Sequence, residues 1–204
     1  MKFSAQDHNM MARALQLAGK ACYTTAPNPA VGCVILSNNK IIGEGFTRPA
    51  GGNHAEIEAL QMAGDVPGCT VYVTLEPCSH QGKTGPCVQA LIKAKVSRVI
   101  VATEDPNPKV SGSGIKQLQD AGIEVEVGLM EAQARELNKG FFKRVTEGNP
   151  WVLVKMAASL DGRTAMASGQ SQWITTPAAR LDVQRLRAAS CAIITGIGTQ
   201  QMDN

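Results

Sequence analysis

The sequence predicts an α/β protein with a largely parallel sheet, because short apolar runs of strand type alternate with helical segments along the chain. The 204 residues, of which 44% are hydrophobic and 18% charged, suffice for one complete domain and part of a second. That composition excludes a disordered chain. No apolar run approaches the about 20 residues that a membrane-spanning helix needs, so no membrane partner is predicted.

The elements of the first domain follow from local patterning. Ser4 and Asp7 form a capping-box pattern ahead of a helix over residues 5–22, and two prolines from position 27 onward end it. Two apolar runs on either side of Asn38-Asn39 predict a β-hairpin. The remaining predicted elements are helices over residues 54–63, 88–95, 115–121 and 131–146, and strands over residues 69–75, 97–103 and 123–127.

A domain boundary is predicted at Glu147-Gly-Asn-Pro150, a stretch rich in turn residues. Residues 1–146 then form the first domain and residues 150–204 part of a second. Strands are predicted over residues 151–157 and 191–195, with a helix between them. The sequence ends at Asn204 as a new βαβ unit begins, so we expect this second domain to be incomplete.

Charge and cysteine usage narrow the functional class. Lys and Arg number 20 against 17 Asp and Glu, and this net charge of +3 without a basic cluster argues against a nucleic-acid partner. The N-terminus carries no signal-peptide pattern, which predicts a cytoplasmic protein. In that reducing compartment the six cysteines are expected to be thiols or metal ligands. Three of them, Cys22, Cys33 and Cys191, lie on apolar faces and are interpreted as core thiols.

The residues best suited to metal binding and catalysis lie in His54-Ala-Glu56 and at Cys78 and Cys87. One imidazole and two thiolates would bind Zn²⁺ and leave its fourth tetrahedral position open for water, which is typical of catalytic sites. Zinc brings the pKa of that water close to neutrality, and Glu56 is the candidate catalytic acid and base. A structural zinc module is the alternative, and it would need Cys69 or His80 as a fourth ligand.

The spacing of the two cysteines is informative. Zinc deaminases carry the pattern H-x-E…P-C-x-x-C, with two residues between the cysteines. Here eight residues separate Cys78 from Cys87, and the inserted loop contains Lys83. An ammonium group in a loop at the metal is suited to contact an anionic substrate, although a solvated loop lysine is the alternative.

Several motifs together resemble the deaminase half of the bifunctional riboflavin biosynthesis deaminase/reductase family. They are Pro27-Asn-Pro-Ala-Val-Gly32, His54-Ala-Glu56, Glu76-Pro-Cys78-Ser-His-Gln-Gly-Lys-Thr-Gly-Pro-Cys87 and Asp105-Pro-Asn-Pro108. The tRNA adenosine and guanine deaminases resemble the chain in the first two motifs but have the short cysteine spacing. The resemblance implies a cytidine-deaminase-like α/β/α sandwich.

The resemblance also implies an activity. It is the zinc-dependent deamination of 2,5-diamino-6-(5-phosphoribosylamino)pyrimidin-4-one, a small phosphoribosylaminopyrimidine, by a homo-oligomer. The implied substrate-binding residues are Asn28, Lys83, Asp105 and Asn107. Thr47 departs from the family, since relatives commonly have a histidine there near the substrate. Two alternatives remain. One is a deaminase of tRNA or of another nucleobase, and the other is a non-catalytic binding module that zinc stabilises.

The second segment resembles the start of the same family's reductase domain. The motifs are Lys155-Met-Ala-Ala-Ser-Leu-Asp-Gly-Arg163, Ser171-Gln-Trp-Ile-Thr175 and Arg185-Leu-Arg187. The resemblance implies a dihydrofolate-reductase-like fold that uses NADPH to reduce the ribose of the product. It implies cofactor contacts at Ala157, Ser171, Trp173, Thr199 and Asp203, and substrate contacts at Ser171 and Arg187. Because most of that domain is missing, we expect this chain not to reduce its substrate.

Overall fold

The computed structural model describes residues 3–80, 85–108 and 110–203. The chain divides into two compact units, Met1–Trp151 and Val152–Asn204. In the first unit a sheet lies between two layers of helices, which confirms the predicted α/β class. Its strands are β1 (Gly32–Ser37), β2 (Lys40–Phe46), β3 (Thr70–Val73), β4 (Arg98–Val101) and β5 (Glu124–Val127). Its helices are α1 (Ala5–Ala21), α2 (Ala55–Ala63), α3 (Cys87–Lys93), α4 (Ser113–Asp120), α5 (Glu131–Leu137) and α6 (Lys139–Glu147).

The strands lie in the order β2-β1-β3-β4-β5. The β3–β4 and β4–β5 pairs are parallel, whereas β1 is antiparallel to both of its neighbours. Asn38 and Asn39 reverse the chain between β1 and β2 with φ angles of 47° and 62°, the positive values that tight two-residue hairpin turns use. The prediction of a largely parallel sheet is therefore correct only for its β3–β4–β5 half.

Alternating strand residues build two separate cores. On one face, Cys33, Val71 and Val99 pack with apolar residues of α2, α3, α4 and α6. On the other face, Val34 and Tyr72 pack against α1 and α5. Strands β1, β3 and β4 bury most of their side chains, as expected for a sheet covered by helices on both faces, whereas the edge strands β2 and β5 are more exposed.

Close backbone contact holds the start of α2 against β2. A Cβ atom on Gly45 would lie 2.1 Å from the carbonyl oxygen of Ala55, and one on Gly43 would lie 2.3 Å from that of Ala59. Only residues without a Cβ permit this approach. Since His54 directly precedes Ala55, the contact fixes the position of His54 relative to the sheet.

The helix predicted over residues 131–146 is in fact two helices, α5 and α6, which meet at Asn138. The Asn138 side chain is buried, and it accepts a hydrogen bond from the backbone N–H of Ala30 (2.8 Å) and donates one to the Ala30 carbonyl (2.9 Å). With φ of −112° Asn138 leaves helical geometry. This contact ties the α5–α6 junction to the loop that contains Asn28.

The second unit contains α7 (Pro177–Ala188) and α8 (Ile197–Asp203). Thr176 caps α7 by accepting a hydrogen bond from the N–H of Ala179. The strands predicted over residues 151–157 and 191–195 are wrong for the described chain, because neither run pairs with another strand there. A strand without a partner leaves its backbone groups and side chains in solvent.

Candidate metal centre and active site

Four chain segments meet at one edge of the sheet. The strand register places Gly32 at the start of β1 opposite Phe46 at the end of β2, and Cys33 opposite Val73 at the end of β3. Val73 in turn lies beside Val101 at the end of β4. The loop before β1 and the segments after β2, β3 and β4 therefore all begin at this edge, and they carry every residue predicted for deamination.

A cluster of three candidate metal ligands lies at this edge. His54 is the N-cap of α2, Cys78 follows β3, and Cys87 is the first residue of α3. Nδ1 of His54 lies 3.5 Å from Sγ of Cys78 and 3.3 Å from Sγ of Cys87, and all three donor atoms lie within 4.8 Å of one another. Among the described residues no other histidine, cysteine or carboxylate joins this cluster, so neither Cys69 nor His80 supplies a fourth ligand.

The surroundings of the ligand cluster lower the pKa of one cysteine and raise that of the other. Hydrogen bonds from the thiol of Cys87 and from His54 lower the pKa of Cys78 to about 4 against the opposing effect of burial. The backbone N–H of Cys87 also donates to Sγ of Cys78 at 3.3 Å. Conversely, the hydrogen bond with Cys78 and burial raise the pKa of Cys87. A bound zinc ion would displace the thiol protons, because cysteine binds metal as a thiolate.

Glu56 lies one residue inside the start of α2 and is buried, with 4% of its surface exposed. Burial, followed by the negative charge of Cys78, raises the pKa of Glu56 to about 7. The Cys87 side chain hydrogen-bonds to this carboxylate, which places it beside the ligand cluster. A carboxyl group with a pKa close to neutrality is suited to both accept and donate a proton.

The predicted substrate residues occupy the surrounding loops. Asp105 and Asn107 are half-buried after β4, and Oδ1 of Asp105 accepts the N–H of Asn107 at 2.8 Å. Asn28 is exposed in the loop before β1. That loop is held by α6, since Arg144 donates to the carbonyl of Pro27 at 3.0 Å. Lys83 lies outside the described residues.

Three buried polar residues support this edge through hydrogen bonds that sequence patterns do not predict. Thr47 accepts a hydrogen bond from the N–H of Val31 at 3.1 Å and donates one to its carbonyl, so its hydroxyl group is used within the fold. Thr74 accepts the N–H of Gly32 at 3.1 Å. Glu76 belongs to the motif that contains Cys78, and no role for its side chain follows from that motif. A polar residue at the end of an apolar strand is the signal that indicates such roles.

The predicted reductase residues do not converge in the second unit as described. Ala157 is half-buried, and Ser171, Arg187 and Thr199 are exposed. Trp173 is 69% exposed and stacks on Arg180, whose guanidinium carbon lies 4.3 Å from the ring centroid. The side chain of Asp203 lies outside the described residues.

The three cysteines interpreted as core thiols differ in exposure. Cys33 is fully buried in the core and Cys22 is half-buried at the end of α1. Cys191 is exposed, so its assignment to a core is wrong. That assignment depended on a strand over residues 191–195, which the described chain does not form.

Comparison with known proteins connects this site to a family. Residues 4–103 match the family model of the cytidine and deoxycytidylate deaminase zinc-binding region, and residues 150–204 match the RibD C-terminal domain. The riboflavin biosynthesis protein RibD of Escherichia coli K12 is 57% identical over 200 residues, which are 98% of this chain and 54% of that protein. The chain belongs to the RibD family. It spans about half the length of the curated RibD proteins it matches.

Solved RibD structures agree with the fold. Acinetobacter baumannii RibD superposes with a TM-score of 0.90 at 56% identity, covering 95% of this chain and 55% of that one. The deaminase/reductase of Thermotoga maritima gives the same TM-score at 40% identity, covering 95% of this chain and 56% of its own. The cytidine-deaminase-like fold expected from the motifs is thereby confirmed. In the described part of this RibD-family chain, no helix has the length and apolar character to cross a membrane.

Proposed function

We propose that this chain is a zinc-dependent deaminase of riboflavin biosynthesis. Its reaction would convert 2,5-diamino-6-(5-phosphoribosylamino)pyrimidin-4-one and water into 5-amino-6-(5-phosphoribosylamino)uracil and ammonia. The observation that carries the proposal is the convergence of His54, Cys78 and Cys87 beside the buried carboxylate of Glu56. The substrate class is inferred from the RibD relatives and is itself part of the proposal. From the same resemblance we propose a cytoplasmic homo-oligomer.

The three donors fit a zinc ion. Tetrahedral zinc with bonds of about 2.3 Å to sulfur and about 2.0 Å to nitrogen holds those donor atoms about 3.5 Å apart. The two nitrogen–sulfur distances here are 3.5 Å and 3.3 Å. When bound by His54, Cys78 and Cys87, zinc would supply Lewis acidity that makes water a nucleophile at neutral pH.

Glu56 would move the protons of the reaction. Its carboxylate would accept a proton from the attacking water and pass it to the ring nitrogen next to the amine-bearing carbon. It would then transfer the second proton, from the new hydroxyl group, to the departing amine. The carbon–nitrogen bond then breaks, ammonia leaves, and the oxygen of water becomes the new carbonyl. With a pKa of about 7, Glu56 can both accept and donate a proton near neutral pH. General acid–base catalysis of this kind raises the reaction rate by about 10²–10⁴-fold.

The loops around the ligand cluster would hold the substrate. Asp105 and Asn107 offer polar groups to the pyrimidine or ribose, and Asn28 offers an amide from the facing loop. Lys83, from the segment between the two cysteine ligands, would pair with the phosphate. The polar character of these residues fits a substrate that carries a sugar and an anionic group.

The residues proposed for NADPH do not form a cofactor cradle in the second unit as described. Ser171, Trp173 and Thr199 are exposed to solvent there, and Ala157 is only half-buried. We therefore assign no reductive step to this chain. In the longer RibD proteins the corresponding residues would have further chain around them.

The direct test follows ammonia release after zinc-loaded protein is mixed with the diaminopyrimidine phosphate. We expect turnover by the unsubstituted chain, with one zinc per chain by metal analysis. Glu56→Gln should retain zinc and lose turnover by at least about 10²-fold. Absence of ammonia from the unsubstituted, zinc-loaded chain overturns the proposal, and near-normal turnover by Glu56→Gln removes Glu56 from its role. Release of ammonia from tRNA alone would instead support the nucleic-acid alternative.

A further inference from the structure

The carboxylate of Glu76 connects the end of β3 to two other segments of the site edge. The side chain is 4% exposed. Oε1 accepts the backbone N–H groups of Gly114 (2.8 Å) and Ile115 (3.3 Å). Oε2 accepts those of Gly112 (3.0 Å) and Asp105 (3.1 Å). Four backbone donors thus converge on one side chain, and a carboxylate has about four lone-pair positions to receive them.

This arrangement replaces a local cap of helix α4. Gly112 is its N-cap residue and provides no side-chain hydrogen bond to the first turn. The first N–H groups of a helix have no partners within the helix, and they favour a negative charge. Glu76 satisfies two of them from another element, so the position of α4 depends on a residue that lies two positions before the ligand Cys78.

Steric contacts show how closely α4 approaches the metal-binding segment. A Cβ atom on Gly114 would lie 2.2 Å from the carbonyl oxygen of Pro77. The hydroxyl groups of Ser79, which follows Cys78, and of Ser113, the first residue of α4, lie 2.5 Å apart. Several contacts therefore attach the loop between Asp105 and α4 to the segment that contains Cys78.

We infer that Glu76 is a positioning residue for substrate recognition. Its carboxylate holds the loop that contains Asp105 and Asn107 in place beside the ligand cluster. The inference rests on the proposed deaminase function, because Asp105 and Asn107 are the substrate contacts proposed there. Glu76 touches none of the three metal ligands through a described hydrogen bond. Its loss should therefore weaken substrate binding while the metal stays bound.

The test is Glu76→Gln in the full zinc-loaded chain. The amide nitrogen of glutamine cannot accept a hydrogen bond, so it must face at least one pair of the four N–H donors. We expect KM for the diaminopyrimidine phosphate to rise about tenfold or more, with kcat within about twofold and zinc content unchanged. Hydrogen exchange of a peptide over residues 110–118 should accelerate, while that of residues 54–63 should not.

Glu104→Gln is the matched control. Glu104 is exposed on the same loop and accepts one long contact from Ser111 at 3.5 Å, so the same chemical change should leave KM and hydrogen exchange unchanged. Glu76→Asp, which keeps the charge but shortens the reach, should behave like Glu76→Gln.

The possible outcomes separate this inference from the proposed function. An unchanged KM in folded Glu76→Gln overturns the inference, as does a fall in kcat that tracks loss of zinc. Failure of both Glu76 variants to fold also overturns it, since the carboxylate would then be needed for folding rather than for positioning. If the unsubstituted chain releases no ammonia, the proposed function fails, and hydrogen exchange of residues 110–118 still decides whether Glu76 holds the loop.

Discussion

Replacing Asp7 with asparagine should destabilise the first unit in a pH-dependent way. Asp7 is 4% exposed, and every group that contacts its carboxylate through a described hydrogen bond is a donor. The Ser4 N–H and hydroxyl both donate to Oδ2 at 2.8 Å, and the Tyr72 hydroxyl and Arg98 both donate to Oδ1 at 2.9 Å. An asparagine amide would turn an NH₂ group toward one of these donor pairs, whichever way it was oriented.

The magnitude follows from the pKa of Asp7. Burial opposes ionisation, but the Ser4 backbone N–H, Arg98, the Ser4 hydroxyl and Tyr72 outweigh it and lower the pKa from 3.8 to about 2. A shift of that size corresponds to about 2–3 kcal/mol at about 1.4 kcal/mol per unit. Because the folded-state pKa is depressed, this stability is present above the unfolded pKa. It is lost as pH falls from about 4 through about 2.

The assay is urea unfolding followed by circular dichroism from neutral pH to about pH 2, with chelator present so that zinc loss does not contribute. We expect the free energy of unfolding of Asp7→Asn to lie at least about 2 kcal/mol below that of the unsubstituted chain at neutral pH. The gap should narrow on acidification. Asp65→Asn, an exposed loop substitution, is the control and should change stability by less than about 0.5 kcal/mol. A gap that stays constant across this pH range would refute the reasoning.

Other predictions concern the metal, the loops and the second unit. Cys87→Ser should lose zinc and stability together, because ligand loss is coupled to folding; one zinc per chain in that variant would contradict the ligand assignment. Asn138→Ala should lower the free energy of unfolding, measured with urea, by about 2–4 kcal/mol, because it leaves the buried N–H and carbonyl of Ala30 unpaired. A decrease of less than about 1 kcal/mol would contradict that role. Lys83→Ala should raise KM for the phosphorylated substrate with little change in kcat, and an unchanged KM would favour a solvated loop lysine. The chain should not oxidise NADPH in the presence of the deaminated product, and any steady loss of the reduced nicotinamide absorbance would contradict this.

Local features of the fold were predictable because they depend on neighbouring residues. Ser4 and Asp7 form the expected capping box at the start of α1. The Asn38-Asn39 pair forms the expected hairpin turn. The order of the motifs along the chain was also sufficient to predict the α/β class and the family.

Features that depend on distant residues were not predictable. The break between α5 and α6 results from a hydrogen-bonded contact of Asn138 with Ala30, which lies 108 positions away. The helical periodicity of residues 131–146 contains no sign of that partner. Similarly, the antiparallel pairing of β1 with β3 depends on which strands become neighbours, and strand patterning does not encode that choice.

Two buried carboxylates, Glu56 and Glu76, lie near the ligand cluster and differ in their hydrogen bonds. The four lone-pair positions of Glu76 are all directed at backbone N–H groups, which fixes the side chain and leaves no position for a substrate proton. Glu56 has its own backbone N–H and the Cys87 side chain as partners, so lone pairs remain available beside the thiolate of Cys78. Burial alone does not distinguish the two residues, since both are 4% exposed. This difference in the number of fixed donors supports the two proposed roles, with Glu76 as a positioning residue and Glu56 as the group that exchanges a proton.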